Sequence, residues 1–125
     1  MRKPRDGFTL IELLVVMAII ATLLTIAVPR YNGSVDRAKE ATLRQSLVTM
    51  REAIDKHFGD TGRYPESLED LVAKKYIRAV PPDPITGAKE SWVIVPPPEG
   101  QGSGVFDIKS GAPGNGADGT EYAKW

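Results

Sequence analysis

The stretch FTLIELLVVMAIIATLLTIAV, residues 8 to 28, is a hydrophobic run of twenty-one residues that sits directly behind a basic stub and holds a carboxylate, Glu12. At about 1.5 Å of rise per residue, a helix of that length spans roughly 31 Å, close to the hydrocarbon thickness of a bilayer. Three readings are open. The run can be a membrane helix, with Arg2, Lys3 and Arg5 held in the cytoplasm and the rest of the chain exported. It can be the apolar core of a secretory signal, with small residues near Thr25 and Ala27. It can be a buried core helix, although a chain of 125 residues has little material to wrap a helix that is apolar on every side. Glu12 bears on the choice, because an ionisable group inside a bilayer is costly and asks for a partner. A plain anchor or a discarded signal gives it none.

Charge and cysteine content narrow the remaining classes. Lys plus Arg and Asp plus Glu both number 16, so the chain lacks the basic excess that a general nucleic-acid binder uses to neutralise phosphates. There is no cysteine, which excludes disulfides and thiolate metal sites. The sequence offers no nucleophile motif, no His paired with a carboxylate and no phosphate-cradling glycine loop in a strand-to-helix context, and an enzyme is not expected. His57 reads as an ordinary surface or boundary histidine.

Beyond Pro29 the pattern changes. Leu43, Leu47, Met50, Ile54 and Phe58 recur at three- and four-residue spacing and mark one face of a helix, while Arg37, Lys39, Glu40, Arg44, Arg51, Glu52 and Lys56 fall mostly elsewhere. One helix from about Phe8 to Phe58 is expected, apolar first and amphipathic later, about 75 Å long, with a bend or melted turn at Pro29 to Gly33. Gly59 and Gly62 are expected to end it. Ser67 is placed to cap a short helix over 68–75, with Glu69 and Asp70 in its first turn. Three β-branched and aromatic runs follow, 76–80, 91–95 and 104–109, bounded by Pro and Gly clusters, with 92–95 and 105–109 the strongest strands. The fold class expected is α+β, a long amino-terminal helix carrying a small antiparallel sheet.

The residues RDGFTLIELLVVMAIIATLLTIAVPRY resemble the class III signal of type IV pilins, competence pilins and the pseudopilins of type II secretion. The resemblance implies a leader of residues 1–7, cut after Gly7 by a membrane-embedded prepilin peptidase that N-methylates Phe8. It further implies a transmembrane and filament-core helix over 8–28, and a periplasmic head over 29–125 that includes the amphipathic half of the long helix. Glu12 corresponds to the family's glutamate in the apolar segment, which pairs with the amine of Phe8 on a neighbouring subunit, and Pro29 to its helix-bending proline.

Downstream, Gly62-Arg63-Tyr64-Pro65, Pro82-Asp83-Pro84 and Trp92 are similar to the turns and aromatic strand of the major, G-type pseudopilins. Absence of a cysteine pair turns the resemblance away from the type IV pilins that close a loop with a disulfide. What the resemblance implies is a structural subunit of a periplasmic pseudopilus that drives protein export, the alternative being a major or minor type IV pilin serving adhesion, motility or DNA uptake. Implied partners are further copies of the chain, minor pseudopilins, the prepilin peptidase, an inner-membrane assembly platform with its cytoplasmic ATPase, and membrane lipid before assembly. No nucleic acid is among them. G-type pseudopilins hold a calcium ion in the terminal loop. Here the candidates are Asp107, Asp118 and Glu121, with Asn115 nearby, thinly spaced among glycines, and the expectation is a turn-rich loop pinned by Tyr122 and Trp125 with no metal and no cofactor.

Overall fold

The computed structural model describes residues 7–125, so of the expected leader only Gly7 lies within it. In chain order the elements are α1 (Leu10–Thr61), α2 (Leu68–Ala73), β1 (Val93–Val95), β2 (Asp107–Lys109) and a short 3-10 turn over Tyr122–Lys124. The chain divides at Asp36/Arg37 into two compact units. The fold is α+β.

In the first unit the helix is apolar on all sides, and Leu10 to Val28 all stand exposed. By length and composition it is the one described helix able to cross a membrane. The helical assignment passes through Pro29 and Gly33 without a break. Pro29 brings no N–H to the carbonyl of Thr25. One turn earlier, Thr22 Oγ1 donates to the Ala18 carbonyl at 2.8 Å and Thr25 Oγ1 to the Thr22 carbonyl at 2.6 Å, hydroxyl bonds that compete with the backbone ladder.

The second unit owes its core to the periodicity of α1. Leu43, Leu47, Met50 and Ile54, joined by Ala53, are buried on one face and meet Leu68 and Leu71 of α2 with Trp92, Val105 and Ile108 from the sheet region. Phe58, expected to extend the stripe, is 41 % exposed and instead stacks on Tyr64 at 4.5 Å between ring centroids. The helix runs past Gly59 and ends at Gly62, whose φ of 71° turns the chain while its N–H donates to the Phe58 carbonyl at 2.8 Å. α2 is shorter than expected. Its cap is as expected, with Ser67 Oγ accepting from the Asp70 N–H at 3.2 Å.

β1 and β2 pair antiparallel with Ile94 opposite Ile108, and the buried side of β2 is Ile108. The expected third strand over 76–80 does not form. Lys75 adopts a φ of 65°, and the N–H groups of Tyr76 and Ile77 donate back to the Leu71 carbonyl, so the segment begins as a turn closing α2. Pro81 and Pro82 then withhold two ladder donors. Tyr76, Ile77 and Val80 still pack half-buried against the core, which explains their apolar character without a strand. The Pro82-Asp83-Pro84 turn is fixed from within. The fully buried Asp83 accepts the N–H of Ile85 at 2.8 Å through Oδ1 and the hydroxyl of Ser110 through Oδ2, tying the turn to the end of β2.

Candidate functional site

At the start of α1 the sequence Thr9-Leu10-Ile11-Glu12 folds into a capping box. Thr9 Oγ1 accepts the Glu12 N–H at 3.1 Å, and Glu12 Oε2 accepts the Thr9 N–H at 3.3 Å. The first backbone bond of the helix, from the Leu13 N–H to the Thr9 carbonyl, is 3.1 Å long. Two donors that a helix start leaves unpaired are thereby satisfied, and the carboxylate lies at the positive end of the helix dipole. Glu12 is the one acidic residue of that first turn. Phe8, next to the cap, is 87 % exposed. Among the described residues, nothing stands within 4 Å of where a Cβ on Gly7 would be. Thr9 is the residue that sequence reasoning missed. Its Ser/Thr-x-x-Glu spacing to Glu12 was the available signal, hidden because Thr9 reads as one polar residue inside an apolar run.

In the second unit, the three carboxylates considered for calcium go to separate partners. Asp107 Oδ1 accepts Arg51 Nε at 2.8 Å and its neighbour's N–H from Ile108 at 2.7 Å. Asp118 Oδ2 pairs with Arg44 at 3.2 Å, while Oδ1 accepts the N–H of Thr120 at 3.0 Å and its hydroxyl at 2.6 Å. Those hydrogen bonds from Thr120 first, and then Arg44, hold the Asp118 carboxyl below the usual carboxylate range. Glu121 faces Lys124 at 3.9 Å. Among the described residues no three acidic or histidine side chains converge, and these carboxylates, each turned to a separate partner, do not by themselves supply the six to eight oxygens of a calcium ion.

His57 departs from its expected surface position. It is 2 % exposed, and Nδ1 lies 2.8 Å from the Arg63 carbonyl. A carbonyl only accepts, so Nδ1 carries the proton and Nε2 is left to accept from Lys74 Nζ at 3.1 Å, with Asp70 Oδ2 at 3.6 Å. This arrangement, to which the Thr61 hydroxyl adds a contact at 3.4 Å, joins the end of α1 to α2.

An exposed apolar helix opened by a capped carboxylate, in a chain that also carries a small α+β head, defines the pilin-like class of proteins. In agreement, residues 2–28 match the prokaryotic N-terminal methylation motif. The chain is similar to the type II secretion system core protein G of Klebsiella michiganensis, with 29 % identity over 133 aligned positions covering 94 % of this chain and 92 % of that one. The protein of the same name from Escherichia coli K12 is 31 % identical over 131 positions, covering 92 % and 86 %. The one from Klebsiella pneumoniae is 32 % identical over 100 positions, covering 67 % and 71 %. No solved structure gives a significant match. The chain belongs to the type II secretion system core protein G family, the pseudopilins of that machinery.

Proposed function

We propose that this chain is the major pseudopilin of a type II secretion system, a non-enzymatic subunit that polymerises into a periplasmic pseudopilus and drives protein export. The observation that carries the reading is the exposed apolar surface of Leu10 to Val28 with one capped carboxylate at its start. A helix apolar on every side needs a cover, which lipid supplies before assembly and neighbouring helices supply after it. In this account residues 1–7 stay cytoplasmic, residues 8–28 form the membrane and filament-core segment, and residues 29–125 the periplasmic head.

A prepilin peptidase cuts between Gly7 and Phe8 and methylates the new amine of Phe8. The match of residues 2–28 to the prokaryotic N-terminal methylation motif supports this processing. The cut leaves a positive charge beside the positive end of a helix, an unfavourable placement that a carboxylate relieves. Before assembly the Thr9 box holds Glu12 hydrogen-bonded, lowering a membrane cost of about 3 kcal/mol for a bare charge. On assembly Glu12 neutralises the Phe8 amine of a neighbouring subunit. A subunit out of register leaves both charges unpaired, at about 3–5 kcal/mol, so the pair selects register more than it adds stability. Pro29, with the Thr22 and Thr25 hydroxyl bonds just before it, is the place where the helix yields in the packed filament.

Sheared-filament yield from cells expressing the secretion genes tests this reading. Glu12→Ala is expected to remain in the membrane, with its head folded, and to lose at least tenfold in filament yield. Wild-type yield from Glu12→Ala would overturn the assigned role.

A further inference from the structure

The terminal loop is bound to α1 by a row of side chains on one helix face. Glu40, Arg44 and Arg51 are spaced by four and seven residues, which brings them onto the same side of the helix, one turn and then two turns apart. Glu40 Oε1 accepts the Ala117 N–H at 2.9 Å and the Tyr122 hydroxyl at 3.0 Å. Arg44 lies over the Trp125 ring at 3.9 Å from its centroid while it pairs with Asp118. Arg51 binds Asp107 and donates at 2.9 Å to the backbone oxygens of both Ile108 and Trp125, joining strand and loop through one guanidinium.

The loop is closed on itself as well. Asn115 and Glu121 form an antiparallel bridge, and the Gly116 N–H donates to the Thr120 carbonyl at 2.8 Å. Trp125 Nε1 donates to Thr120 Oγ1 at 2.6 Å. Gly116 makes room for the indole, since a Cβ there would fall 2.3 Å from Trp125 Cζ2.

We propose that Arg44 and Arg51 hold this loop in place of a divalent cation, so that the head reaches its folded, assembly-competent form without calcium. A calcium ion needs six to eight oxygens at about 2.3–2.6 Å. Both oxygens of Asp118 are already taken, one of them by a guanidinium whose charge repels a metal. A planar guanidinium does here what an ion does elsewhere, donating to several oxygens at once in fixed directions, and Arg44 adds a cation–π contact that no hydrated ion makes. The proposal relies on family membership only for the expectation of a metal. It stands or falls on folding, so a failure of filament assembly leaves it decidable.

The test is thermal unfolding of the full chain in detergent micelles, with excess chelator and with millimolar calcium, followed by terbium luminescence sensitised through Trp125. Equal midpoints with and without calcium, and no sensitised terbium emission, are expected. Arg44→Met, which keeps length and loses charge, is expected to lower the midpoint by about 4–8 °C equally in both buffers. A midpoint that rises with calcium, or saturable terbium emission, overturns the proposal, as does an Arg44→Met midpoint equal to wild type. Should Arg44→Met fail to fold, the wild-type comparison decides alone.

Discussion

Two residues show why single positions are harder to read than patterns. His57 has only the Thr61 hydroxyl one turn on as a local partner, at 3.4 Å, and the contacts that bury it come from Arg63 and Lys74 once the chain has turned. Thr9 is the opposite case, since its partner lies three residues away and local spacing alone would have found the capping box. Asp118 carries the clearest electrostatic consequence. Hydrogen bonds from Thr120 and the nearby Arg44 lower its folded-state pKa below the unfolded value. A depressed carboxylate contributes stability that is present above about pH 4, the unfolded range, and is lost as pH falls through the lower folded value. The thermal midpoint of wild type therefore exceeds that of Asp118→Asn at neutral pH, and the gap closes on acidification below about pH 4. Unfolding scans of both chains across that range check it, and a gap that persists in acid contradicts the assignment.

Elements were legible where periodicity and capping chemistry agreed. The stripe Leu43, Leu47, Met50 and Ile54 marked the buried face of α1, and Ser67 with Glu69 and Asp70 marked the start of α2. The two stronger strand runs became β1 and β2, though each shrank to three residues between loops rich in Pro and Gly. The run 76–80 misled because β-branched and aromatic residues signal burial as much as extension, and here a left-handed Lys75 and backbone bonds to Leu71 bent it into a turn. As α2 has only six residues, its cap matters in proportion. Ser67→Ala removes the acceptor for the Asp70 N–H and is expected to cost about 1 kcal/mol, read as a midpoint lowered by several degrees. An unchanged midpoint would mean that packing of Leu68 and Leu71 alone holds the element.

For the molecule as a whole, one chain carries two kinds of surface. Among the described residues, Leu10 to Val28 of the apolar unit stand exposed, whereas Arg37–Trp125 builds a core and a hydrogen-bonded loop. This division was visible in sequence as a change of pattern at Pro29, because hydrophobicity on all sides and hydrophobicity on one face are distinct signatures. That Tyr122 and Trp125 pin the terminal loop was legible, but its charged contacts were not, since Arg44 and Asp118 lie 74 positions apart and only the fold brings them together. The central claim is that the apolar segment is retained as a processed filament helix. Intact mass with amino-terminal fragmentation, on protein purified from membranes of a cell carrying a prepilin peptidase, tests it most directly. The account predicts a chain that begins at an N-methylated Phe8. A chain that keeps Met1, or one that begins near Val28, would contradict it and leave Glu12 without its intersubunit partner.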